Sequence, residues 1–171
     1  MQAVCVQLAE DIVRNGEGTQ HVVKVTVTGA PSDIFARDLG RFVTNSNLVK
    51  CAIAGCDPNV GRIVGAIGSY LGNYVENGAQ YTDGLSVTLG GIDIFKDGCF
   101  QLNPEKELLL SDYMVDAQLF PTEMPEHDRN YPPHGKNVEI TIAMKGGSGK
   151  SIVIGSDLTK EYVEVNADYR S

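Results

Sequence analysis

The interleaving of two-residue and helical hydrophobic periods along the chain predicts an α+β domain. Three observations carry that prediction. Val23, Val25 and Val27 alternate with Lys24, Thr26 and Thr28, and Val138, Ile140, Ile142 and Met144 repeat the same two-residue period of a half-buried strand. Apolar residues recur at three- and four-residue steps in Met1, Val4, Leu8 and Ile12, and again in Val60, Ile63, Val64, Ile67 and Leu71. Strands and helices are mixed without a regular βαβ rhythm or an internal repeat, which speaks against a doubly wound sheet. The 171 residues are 42% hydrophobic and 21% charged, ordinary globular usage that excludes wholesale disorder and suits a single domain over 1–171.

In chain order, the first helix is predicted over 1–15, with Gly16 as its stop. It opens without a capping residue, as a segment from the middle of a larger structure would. The strand around Val25 follows. Ser32 then caps a helix carrying Ile34, Phe35, Leu39, Phe42 and Val43, with Asp33 in the favourable first turn. The apolar run 49–55 suits a buried strand. Asp57 and Pro58 open the next helix as N-cap and first helical residue. That helix carries Gly61, Gly65 and Gly68, each costing up to ~1 kcal/mol relative to Ala, so another backbone is expected close against it.

Leu85, Val87 and Leu89 read as a strand that bends at Gly90 and Gly91 and resumes at Ile92 and Ile94. Asp97-Gly98 signals a hairpin turn into Phe100 and Leu102. Asn103 and Pro104 start a short acidic helix to about Met114. Four of the seven prolines lie between Pro121 and Pro133, so 119–135 is read as an acidic, proline-containing loop. After the strand at Val138, residues 151–155 are expected to form its hairpin partner. The end has Leu158, Tyr162, Val165 and Tyr169 at helical spacing with Asp157 as cap, although its Val and Tyr also permit a strand.

Charge and motifs narrow the function. The net charge of −8 argues against nucleic-acid binding, and much of it is local: seven acids stand against two bases between Asn103 and Tyr131. No apolar run approaches the ~18 residues of a membrane span. No signal peptide is evident, and the expected compartment is the cytoplasm. The run Lys145 to Ser151 (KGGSGKS) has Met144 where a phosphate-binding loop needs glycine, and strand-like residues where it needs a helix, so it reads as a loop between strands. His21, His127 and His134 show no metal-ligand spacing, and no metal site is expected.

Cys5, Cys51, Cys56 and Cys99 form no CxxC pair and are expected to be reduced and buried. Cys56, just ahead of a helix, is either a thiol of lowered pKa or a small core residue, with no local histidine to activate it. Glu17, between Gly16 and Gly18, is either an exposed turn acid or a carboxylate presented to a ligand amine. The ending Asn166 to Ser171 groups an amide, an aromatic ring and both charges, and suggests a docked terminus.

Three segments in order, VRNGEG from Val13, LVKCAIAGCDPNVGR from Leu48 and DLTKEYVEVNADYRS from Asp157, resemble the ornithine acetyltransferase (ArgJ) family over most of the chain. The last is the most specific. The resemblance implies an ArgJ/DmpA-like fold, an α+β layered sandwich with β sheets covered by helices, of which this chain supplies part. It also implies a precursor that cuts itself into an α chain and a β chain whose new N-terminal Thr is the nucleophile. That Thr takes the acetyl group from N-acetylornithine and passes it to glutamate, giving ornithine and N-acetylglutamate; some members also use acetyl-CoA. No cofactor is called for.

By this resemblance the chain is the C-terminal part of the β chain. The nucleophilic Thr lies upstream of it, so no catalytic residue is expected here and no turnover alone. Its expected partners are the α chain and the N-terminal part of the β chain, in a hetero-oligomer. Residue by residue, Glu17, Asn166 and Ser171 match the family's substrate-binding Glu, Asn and terminal Thr or Ser. Asn15 stands where the family commonly has Asp, Cys56 where it has an acid, and Val60 where it often has Trp, which leaves the surroundings of that helix start open. The alternative reading is a free-standing, non-catalytic domain of the same fold that binds an amino acid or another protein.

Overall fold

A computed structural model describes residues 2–121, 124, 129, 131–132 and 135–167. The elements run α1 (Gln2–Arg14), β1 (Val22–Ala30), α2 (Asp33–Thr44), α3 (Asn47–Ala54), α4 (Val60–Tyr74), β2 (Ser86–Leu89), β3 (Ile92–Lys96), β4 (Cys99–Phe100), α5 (Pro104–Asp116), β5 (Val138–Ala143), β6 (Gly149–Ser156) and α6 (Lys160–Ala167). The six strands form one sheet in the order β4-β3-β2-β5-β1-β6. β1 runs parallel to β5 and antiparallel to β6. The α+β class holds, here as a sheet and its helical layer.

Register decides which side chains meet the helices. Val25 pairs with Ile140, and Val87 with Ile142, so these alternating residues share one face with Val23, Val27 and Leu89. All are buried, along with Leu39 and Val43 of α2 and Ile63, Ile67 and Leu71 of α4. Burying each such side chain contributes about 1.5–3 kcal/mol. The opposite face holds Lys24, Thr26, Thr141 and Ile152, of which Ile152 is 57% exposed. The helix caps follow the sequence in two cases: Ser32 Oγ accepts from Phe35 N at 3.2 Å, and Asn103 Oδ1 accepts from Lys106 N at 2.8 Å.

Four expectations are corrected. Residues 49–55 lie mostly in α3, because Val49, Ala52 and Ile53 reach the core at helical spacing. The next helix starts at Val60, not after Asp57. Its cap is Asn59, whose Oδ1 accepts from Arg62 N at 3.3 Å, while 57–59 form a tight turn. Apart from chain neighbours and the backbone of α4 itself, no described atom lies within 4 Å of where a Cβ on Gly65 or Gly68 would sit, and Gly61 meets only Asn59 Oδ1 at 3.6 Å. The glycine face of α4 therefore opens outward instead of receiving another backbone from the described residues. Finally, β6 does not pair with β5.

The glycine-rich loop explains that last correction. It crosses the end of β1 and carries the chain to β1's other side. A Cβ on Gly147 would stand 2.8 Å from Ala30 O, and one on Gly149 would stand 2.7 Å from Ser32 Cα. Only residues without a side chain pass so close to a backbone. Lys150 N then donates to Asp33 Oδ1 at 2.8 Å, closing the crossing onto the start of α2. Among the described residues no helix is long and apolar enough to cross a membrane.

Candidate functional site

The chain leaves α1 through a run of tight backbone bonds. Asn15 N reaches Asp11 O at 3.0 Å, Gly16 N reaches Val13 O at 3.1 Å and Thr19 N reaches Gly16 O at 3.1 Å. Glu17 is exposed in this turn. Gly18 has φ +64°, and a Cβ on it would stand 2.7 Å from Tyr162 Cα. The turn thus rests on the first turn of α6. Thr159 ties the two together: its hydroxyl donates to Gly18 O at 2.6 Å and accepts from Tyr162 N at 3.0 Å, taking the capping role expected of Asp157.

Asn166 is exposed on α6, and its Nδ2 donates to Tyr162 O at 2.9 Å. The residue against which the Glu17 turn packs is therefore one helical turn from Asn166. Ser171 lies outside the described residues, as do His127, His134 and the chain from 168 to the end. Gly18→Ala is expected to cost more than the ~1–2 kcal/mol of a left-handed L-residue, because the Tyr162 backbone must also retreat. Thermal unfolding reads this loss. A midpoint equal to the parent's would show that the turn is not held against α6.

Asp157 has a different task. It is buried, and its Oδ2 accepts from His21 Nδ1 at 2.8 Å while its Oδ1 accepts from Gln20 N at 3.1 Å. Asp157 N donates to His21 O at 3.2 Å. The other ring nitrogen, Nε2, faces Met114 O at 3.1 Å and Cys56 Sγ at 3.6 Å. Burial, the largest influence, favours the neutral ring. Hydrogen bonds to Asp157 and Cys56, together with electrostatic attraction to these two side chains, outweigh it, and the His21 pKa rises from 6.5 to about 9. This clamp fixes 20–21 to 157–159 and so holds the Glu17 turn beside α6.

Sequence reasoning missed His21. A signal existed, since His21 shares the odd-numbered face of Val23, Val25 and Val27 and so points inward. The expectation of buried cysteines fails for Cys5, Cys51 and Cys99, all exposed. No histidine is local to Cys56 in the sequence, but the fold brings His21, 35 residues away, to 3.6 Å from its sulfur. Cys51 lies on the outer side of α3 because that segment is helical.

Beside the clamp is a cleft of about 530 Å³ lined by Gln20, Gln118, Arg129, Thr159, Lys160 and Glu161, among others. Arg129 Nη1 bridges both Glu161 carboxylate oxygens at 2.7 Å. Gln20 Oε1 is buried and has no hydrogen-bond partner among the described residues. A cleft lined both by this unsatisfied acceptor's residue and by Lys160 suits a small polar molecule carrying both a donor and an acceptor. A larger depression, about 860 Å³, lies between α2 and the glycine face of α4; neither Glu17 nor Asn166 lines it or the 530 Å³ cleft. Among the described residues no three His, Cys, Asp or Glu side chains are grouped to hold a metal ion.

The profile of the ArgJ family matches residues 1–171. An arginine biosynthesis bifunctional protein ArgJ from Ruegeria pomeroyi is 37% identical over 171 residues, which are 100% of this chain and 36% of that protein. The chloroplastic ArgJ of Zea mays is 36% identical over 99% of this chain and 32% of its own length. The crystal structure of ArgJ from Bacillus halodurans superposes with a TM-score of 0.75 at 32% identity, covering 98% of this chain and 67% of that one. The chain spans about a third of the length of the curated relatives it matches.

Proposed function

Because the chain belongs to the ArgJ family, we propose that it supplies the substrate-gripping wall of an ornithine acetyltransferase/N-acetylglutamate synthase. The acetyl group passes from N-acetylornithine to glutamate, or from acetyl-CoA to glutamate. The nucleophile is an N-terminal Thr on a segment outside this chain, joined here by an α chain in a hetero-oligomer within the cytoplasm. Glu17 pairs with the amine of ornithine, and Asn166 and Ser171 bind the amino acid's polar groups. An acyl-enzyme divides one slow transfer into two faster steps, with the Thr amine as base and an oxyanion hole from the α chain steadying the tetrahedral intermediate.

The observation that carries this reading is the seating of the Glu17 turn on α6, through Thr159 to Gly18 O at 2.6 Å. It brings two segments that the family uses for substrate into one neighbourhood although 141 residues separate the bonded pair. Dependence on a partner is supported by apolar side chains left in the open. On α1, Val4 and Leu8 are exposed and Ile12 is 75% exposed, and these join Ile152 of β6.

The assay is direct. The purified chain, given N-acetylornithine and glutamate, is expected to form no N-acetylglutamate above blank, and to do so once the segments bearing the Thr and the α chain are added. Turnover by the chain alone would overturn this division of labour.

A further inference from the structure

The geometry points to a modification site: we infer that Cys56 is the thiol of this chain that reacts with peroxides and other soft electrophiles. The inference is independent of the acetyl-transfer reading. Cys56 is half-buried at the end of α3 with φ +49°, a backbone conformation that side-chain-bearing residues rarely adopt. Three bonds hold it there: Cys56 N to Ile53 O at 2.9 Å, Asp57 N to Ala52 O at 2.9 Å, and Ser111 Oγ donating to Cys56 O at 3.2 Å. The sulfur is therefore aimed by the fold.

Two N–H donors converge on it. Gln118 Nε2 stands 3.4 Å from Cys56 Sγ and His21 Nε2 stands 3.6 Å away. Met114 O, 3.1 Å from the same ring nitrogen, can only accept, so Nε2 carries a proton. Nδ1 faces the Asp157 carboxylate at 2.8 Å and carries the second. The ring is an imidazolium, and its N–H faces the sulfur that would attack an electrophile. The thiolate is the nucleophilic form of cysteine. Cys5, Cys51 and Cys99 have no such neighbours among the described residues. Cys56 is half-buried; its neighbours Gly55 and Gln118 line the 530 Å³ cleft, as does Cys51.

With a peroxide, the sulfur attacks one oxygen; an S–O bond forms as the O–O bond breaks. The leaving hydroxide or alkoxide takes up a proton. Sulfur is oxidised by two electrons to a sulfenic acid, and the peroxide is reduced to water or an alcohol. With an alkyl halide, an S–C bond forms and halide leaves.

The test uses the native chain at pH 7 with limiting iodoacetamide, and reads each cysteine's labelling rate by peptide mass spectrometry. A parallel sample receives equimolar hydrogen peroxide and dimedone, which traps sulfenic acid. Cys56 is expected to label about tenfold faster than the more exposed Cys51 and to carry the dimedone adduct. Its rate is expected to fall about tenfold in His21→Gln. Gln118→Ala, which leaves the His21–Asp157 pair intact, is expected to slow it as well and serves if His21→Gln does not fold. Labelling in order of exposure, with Cys51 ahead of Cys56, overturns the inference. So does a Cys56 rate unmoved by Gln118→Ala, or a dimedone adduct on the other cysteines but not on Cys56.

Discussion

Asp157→Ala is expected to destabilise the protein by about 3–5 kcal/mol, the cost of leaving a buried charge without its partner. Three interactions disappear together: the His21 Nδ1 bond at 2.8 Å, the Gln20 N bond at 3.1 Å and the charge that keeps the ring protonated. For a chain of this size the thermal midpoint should fall by roughly 6–20 °C. Asp157→Asn retains an acceptor for Gln20 N and should lose less.

The pH dependence separates this from a general packing loss. His21 is raised from 6.5 to about 9 in the fold, so its stabilisation is complete below pH 6.5 and is lost as pH rises through 9. The parent's midpoint should therefore decline across that window. In Asp157→Ala the buried ring prefers to be neutral, and the decline should vanish or reverse. A parent whose stability does not change between pH 6.5 and 9 would mean that the ring is not held as a cation.

Much of the architecture is written locally in the chain. The caps at Ser32 and Asn103, the turn at Asp97-Gly98, where both residues take positive φ, and the period of β1 and β5 all depend on neighbours within a few residues. What local pattern leaves open is pairing over distance. The run at 49–55 is too short for its period to separate strand from helix, and burial of Val49, Ala52 and Ile53 against the helical layer decides it. β6 follows β5 after a short loop, as a hairpin would, yet the glycines of that loop let it step over β1 instead. Pairing of β6 with β1 then puts Asp157, the residue after β6, beside His21.

The candidate site divides the same way. Glu17 between two glycines shows its freedom in the sequence, and the family resemblance supplies Asn166. Neither shows that Gly18 touches Tyr162, or that a His–Asp pair separated by 136 residues holds the two segments together. Cys56 reads as a small core residue until the histidine beside it is known.

The second large effect concerns binding. Glu17→Gln keeps the size of the side chain and some hydrogen bonding but removes the charge proposed to pair with a substrate amine. Removing one partner of a desolvated charge pair costs about 2–5 kcal/mol. The lower figure corresponds to about a 30-fold loss of affinity. Glu17 is exposed in this chain, so the substitution should leave thermal stability unchanged within about 0.5 kcal/mol. A loss of binding without loss of fold is the signature of a contact residue.

The deciding measurement is the ornithine dissociation constant of the enzyme assembled from this chain and the segments proposed to bear the Thr nucleophile, with Glu17 or Gln at that position. Weakening by about 30-fold or more, at unchanged stability, is the predicted result. Equal affinity for the two proteins would contradict the assignment of this turn to the substrate, and with it the role given to the chain.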